Sequence, residues 1–175
     1  MRAKYFCFVI VLFAILIGIS SCQKCETDPA DIVAATLETN KKIAVAVVHA
    51  SAIGLSESLK NIPDSAEGVL FIRTYIDSIR FYDDKSGYFY VYNYQCINIA
   101  HATQKDLQGQ NLYNHQDSKG KYVVRELSAT ARAGGGFVEF YWVKPGETGE
   151  KLKIGYVEPI PGTNYWIGSG VYIPE

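Results

Sequence analysis

The hydrophobic positions of this chain follow three rhythms in turn. The first has no period: Tyr5 to Ile19 is an unbroken apolar run, preceded by Arg2 and Lys4 and followed by Ser20, Ser21 and Cys22. Charge, then grease, then small residues is the order of a secretory signal over residues 1–21, and the run is shorter than the roughly 20 apolar residues of a membrane span. A helical rhythm comes second. Val33, Leu37, Ala44, Val48, Leu55 and Leu59 recur at intervals of four and seven, with Ile32, Ile43 and Val47 widening the stripe, so one helix runs from Pro29 to about Lys60. Asp28 supplies its N-cap oxygen and Pro29 fits the first turn, where no donor is needed. Asn61-Ile62-Pro63 stops it, and Asp64 with Glu67 reads as a capping box for a second helix to about Arg80.

From Phe81 onward the period falls to two. "GYFYVYN" at 87–93 and "INIAH" at 97–101 predict two strands joined by a tight turn around Tyr94 and Gln95. A looped insert over residues 103–121 leads into a third helix from about Tyr122 to Ala133, with Val124, Leu127 and Ala131 on one face. Gly134 to Gly136 end that helix, and three strands follow at about 137–144, 151–160 and 164–173. Two helices, two strands, a helix and three strands predict an α+β domain, a long helix packed on a five- or six-stranded antiparallel sheet. One strand is unusual. "FVEFYWVK" puts Phe137, Glu139, Tyr141 and Val143 on one face and Val138, Phe140, Trp142 and Lys144 on the other, which predicts a strand covered on both sides.

Charge narrows the function. Removing residues 1–21 takes away Arg2 and Lys4 and no acid, so the 17 basic and 18 acidic side chains of the whole chain become 15 and 18. A mildly acidic remainder with no dense Lys/Arg stripe argues against nucleic acid as a partner. About 154 residues suit one domain over 28–175, behind a polar tether at 22–27. Cys7 leaves with the signal, and Cys25 and Cys96 remain as a disulfide or two free thiols. One lies in the tether and the other near a strand, which favours free thiols.

The succession "GYFYVYN", "IAHATQKDLQGQNLYNHQ", "FYWVKPG" and "NYWIGSGVY" resembles the single Cache domain of bacterial extracytoplasmic sensors, over roughly residues 28–173. The resemblance implies a PAS-like antiparallel sheet preceded by a long helix, with a pocket that takes small ligands, often short carboxylic acids. In receptors such a domain sits between two membrane helices and reports to a kinase, methyl-accepting or cyclase module. Here the sequence stops at Glu175, directly after the last strand, so the expectation is ligand binding, with output left to a separate membrane signalling partner. "ISSC" likewise resembles a lipobox, which implies a periplasmic-side protein anchored to the membrane by lipid on Cys22. A plain secretory signal and an uncleaved anchor helix are the alternatives.

A carboxylate in an apolar pocket needs donors to replace its water. With that pocket implied, Arg80, His101 and Lys144 are expected to orient the anion, and Tyr90, Tyr92, Tyr141, Trp142 and Tyr156 to close around its carbon skeleton. Tyr141 fits less well, because by parity it faces away from Trp142 and Lys144. The competing function is a protein-interaction module that docks on a membrane partner without a ligand of its own. An enzyme is not expected. Gly168-Ser169-Gly170 lacks the nucleophile-elbow spacing, His49, His101 and His115 lack zinc spacing, and "DDKSG" at 83–87 has no distal Glu for calcium. No Gly-Lys-Ser/Thr follows Gly134–Gly136, and no cofactor or metal is expected.

Overall fold

The computed structural model describes residues 28–62 and 65–174. The signal segment, the tether with Cys22 and Cys25, and the Asp64 capping box lie outside the described residues. Helix α1 spans Pro29–Leu59, and the Asp28 carboxylate accepts from the Ala30 amide at 2.8 Å. Helix α2 spans Ser65–Asp77. Strands β1 (Tyr90–Asn93) and β2 (Asn98–His101) are joined by a turn in which the Asn93 side chain accepts from Gln95 and Ile97, while buried Cys96 takes a positive φ of 63°. A 3-10 turn at Lys105–Leu107 and helix α3 (Val123–Arg132) form the insert. Strands β3 (Gly136–Val143), β4 (Glu150–Pro159) and β5 (Tyr165–Tyr172) complete a five-stranded antiparallel sheet of order β2-β1-β5-β4-β3. Gly134 and Gly135, at φ of 108° and 114°, release the chain from α3 into β3, a conformation side chains other than hydrogen rarely permit.

The long helix uses only part of its stripe. Ala44, Val48, Ala52 and Leu55 are buried as α1 crosses β4 and β5, whereas Ile32 and Val33 are 53% and 48% exposed. The first turns of α1 therefore carry apolar residues that the described residues of this chain cover only by about half.

The expectation that β3 is covered on both faces is corrected. β3 is an edge strand, and α1 packs on its neighbours instead. Val138, Phe140 and Trp142 are buried, while Phe137 and Val143 are exposed and Glu139 faces solvent. What β3 does have is a guarded edge, which a sheet needs to avoid pairing with strangers. The Asp117 carboxylate accepts from the Tyr141 amide at 3.0 Å and from the Lys119 and Lys121 amides at 2.9 Å each, and Lys121 Nζ donates to the Glu139 carbonyl.

That carboxylate makes a test. Burial works against its charge, but the amides of Tyr141, Lys121 and Lys119 and the Lys121 ammonium outweigh it and hold Asp117 below the usual carboxyl range. Asp117→Ala leaves these amides without their acceptor, and should cost about 2 kcal/mol, or about 4–8 °C in Tm. A depressed carboxyl stabilises above its unfolded pKa, and that contribution is lost as pH falls through its folded value. Thermal unfolding should thus show parent and variant converging below about pH 4; a gap that persists in acid excludes the carboxylate as the cause.

Candidate ligand site

The site is built on the face of the sheet away from α1, under α3. Tyr90 pairs with His101 on one side and Gly168 on the other, Trp142 with Lys151, and Lys153 with Phe140 and Tyr172, so these directly opposed residues share faces across the five strands. Tyr88, Tyr90, Tyr92, His101, Phe140, Trp142 and Lys153, with Val123, Val124 and Leu127 of α3, line a small cavity. It is tight: a water-sized sphere can place its centre in only about 10 Å³ of it, room for about one water.

The chemistry of the cavity centres on Lys153. Its side chain is fully buried, and its Nζ has no hydrogen-bond partner among the described residues. Three rings surround it, with Nζ 4.0 Å from the ring centroid of Tyr88, 4.8 Å from Tyr172 and 5.3 Å from Tyr90. The ring faces attract a cation, but they carry no countercharge. Burial therefore holds the amine well below the ordinary lysine pKa.

The other donors are largely committed. Tyr172 gives its hydroxyl proton to the Val143 carbonyl at 2.7 Å, so Tyr88 must be the donor in the 3.2 Å contact between the two hydroxyls. Tyr90 donates to the Ser169 carbonyl, and the Trp142 indole N–H to Gln104 at 2.7 Å. His101 Nδ1 accepts from the Gln104 amide at 3.0 Å, which leaves the proton on Nε2 as the ring's remaining donor. Burial, reinforced by Lys153 when that amine is charged and by Arg80, pushes the His101 pKa down to about 3, so the imidazole is neutral. Burial likewise pushes Tyr88 up to about 12 and Tyr90 and Tyr92 higher still, so the phenols keep their protons. Trp166, which flanks Tyr92 on the same face, also holds a buried indole N–H without a hydrogen-bond partner among the described residues.

Four of the expected ligand contacts, Tyr90, Tyr92, His101 and Trp142, come together around this cavity. The other four stand elsewhere. Arg80 donates to the carbonyls of Asp77, Ile79 and Ala102 and acts on His101 only through its charge. Lys144 lies past the end of β3 and pairs with Asp84 at 3.2 Å and Glu147 at 3.1 Å, in an open outer groove beside the start of α1. That groove is far roomier, about 860 Å³ against about 10 Å³, but Lys144 within it is already neutralised. Tyr141 points to the opposite face, its ring 5.3 Å below the Lys119 ammonium. Tyr156 is on the α1 side, donating to Glu158 at 2.7 Å and packing on Phe137. Lys153, Tyr88 and Phe140 line the same cavity, with the Tyr172 ring beside Lys153, and sequence reasoning named none of them.

An aromatic-walled cavity around one buried amine that has no hydrogen-bond partner among the described residues, under an inserted helix on a five-stranded sheet, fits a small-ligand sensor domain of the PAS-like class. Residues 38–175 match Single Cache domain 2, and the chain belongs to that family. It is similar to the sensor histidine kinase MctS of Rhizobium johnstonii, 37% identical over 91 residues, which are 52% of this chain and 20% of that protein. The matched stretch thus spans about a fifth of that kinase. Among solved structures, a methyl-accepting chemotaxis protein of Vibrio parahaemolyticus superposes with a TM-score of 0.70 at 27% identity, covering 82% of this chain and 95% of that one. A Cache chemosensory domain described for its carboxylic acid recognition superposes at 0.67 and 25% identity, covering 85% of this chain and all of its own, 100%.

Proposed function

We propose that this protein is an extracytoplasmic sensor domain that binds a short monocarboxylate, held at the membrane by lipid on Cys22 and reporting to a separate signalling protein. The observation that carries the ligand class is Lys153, a fully buried amine with no acceptor, set in a cavity of aromatic rings. Truncating the partner of a buried charge is costly, and an anion is the partner that this site lacks. The ammonium takes one carboxylate oxygen, His101 Nε2–H is the second donor, and Tyr88, Tyr90, Phe140 and Trp142 close on the carbon chain. With one cation and little free volume, the site suits acids of two or three carbons, which enter as the α3 wall of Val123, Val124 and Leu127 gives way. The similarity to a domain known for carboxylic acid recognition supports the same class. The exposed Ile32 and Val33 on α1 support a contact with the signalling partner.

Isothermal titration of the full chain in detergent tests this reading. Acetate and propionate should bind, succinate and ethylamine should not, and Lys144→Ala should bind as the parent does. Equal binding of ethylamine, or no response to any acid, overturns the assignment.

A further inference from the structure

We propose that the site takes up its carboxylate and one proton together, so that Lys153 is a neutral amine when the cavity is empty and an ammonium when it is filled. This rests on the reading that a carboxylate enters the cavity, and adds how that step is regulated. The geometry supplies the reason. Lys153 Nζ is sealed from solvent, reaches no acceptor, and has no acid among the residues that line the cavity.

The groups that face it, element by element, carry no negative charge. From the β1 segment come Tyr88, Tyr90 and Tyr92, from β5 Tyr172, and burial keeps all four phenols protonated. From β2 comes neutral His101, and behind it the Arg80 guanidinium, whose charge helps to keep that imidazole neutral. Phe140 and Trp142 of β3 and Val123, Val124 and Leu127 of α3 do not titrate. The acid that acts on this cluster from outside is Glu147, felt at Tyr172 and already paired with Lys144.

An incoming carboxylate changes one thing, by placing a negative charge beside the amine and so favouring its protonated form. The balance is simple: anion, solvent proton and amine combine into an ammonium–carboxylate pair, with no bond broken in the ligand. His101 does not take this proton, because its Nδ1 lone pair is held by the Gln104 amide and its Nε2 already bears hydrogen. The consequence is a sensor whose apparent affinity rises as its surroundings acidify. A periplasmic-side domain would then report acid and carboxylate as one signal.

Titration of the full chain with propionate at about pH 7.5, in phosphate and in Tris, reads the proton directly. The observed heat should differ between buffers by close to one ionisation enthalpy, and Kd should weaken about tenfold per pH unit above neutrality. Buffer-independent heat with propionate bound overturns the proton coupling and leaves the ligand reading intact, whereas no propionate binding overturns both. Lysine-ε-13C NMR assigns the proton: the resonance missing from Lys153→Met should move from the amine to the ammonium position as propionate is added. A resonance at the ammonium position before ligand overturns the proposal.

Discussion

Replacing Lys153 by methionine should raise the unfolding temperature of the ligand-free protein and abolish its response to acetate and propionate. Both effects come from one atom. In the unfolded chain the lysine is solvated and charged, whereas in the fold its nitrogen is stripped of water and given only ring faces. Methionine is close in length, fills the same channel and has no desolvation penalty, and replacing buried ionisable groups by apolar residues of similar volume is often stabilising by about 1–4 kcal/mol. The pH dependence gives the sign. The folded pKa of Lys153 lies well below its unfolded value, so between the two the unfolded chain binds more protons and the parent gains stability as pH rises. That slope is at most about 1.4 kcal/mol per pH unit. The advantage of Lys153→Met should therefore be larger at neutral pH and fade toward about pH 10.4, where the unfolded lysine also loses its proton. Differential scanning calorimetry across that range checks it. A variant less stable than the parent would show that the folded amine has a partner worth keeping.

A residue that costs stability and is retained at the centre of a cavity is expected at a binding site, and its position was within reach of the sequence. The turn over Pro145 to Gly149 joins two period-two segments, and closing that hairpin sets Lys153 opposite Phe140, on the Trp142 face. Lys144 misled because parity alone groups it with Trp142. Parity says nothing about where a strand stops, and beyond Val143 the chain turns to meet Asp84 and Glu147. The aromatic strand, the "IAH" segment and the α3 stripe were legible because each has a local period that burial enforces. Arg80 and Tyr156 were not: Arg80 is held by two carbonyls beside it and by that of Ala102 past the end of β2, and which face of β4 meets α1 is a matter of packing that no local pattern encodes. The covering of β3 failed for the same reason. Which neighbour a helix crosses is set by strand order, and order β2-β1-β5-β4-β3 leaves the most aromatic of the last three strands at the edge.

Two glycines that face each other across β4 and β5 should separate binding from folding. Gly155 pairs with Gly170, and a methyl group on each would meet different obstacles. At Gly155 it would lie 2.6 Å from Phe140 Cε1 and 2.8 Å from the Tyr90 hydroxyl oxygen, both side-chain atoms of residues that line the cavity. Those rings can swing, and the space they swing into is the ligand's. Gly155→Ala should then cost about 1–3 kcal/mol by overpacking while lowering propionate affinity more than about tenfold. At Gly170 the methyl would overlap the Ile154 carbonyl oxygen and stand 2.8 Å from the Gly155 Cα, which are backbone. Nothing there can rotate away, so β4 and β5 must part along the centre of the sheet. Gly170→Ala should lose about 4 kcal/mol or more, at the far end of what single substitutions do, and expression of folded protein should fall with it. Thermal unfolding and propionate titration of the two variants side by side decide the matter. If Gly155→Ala keeps full affinity, the Tyr90 and Phe140 rings do not form the wall of the ligand site.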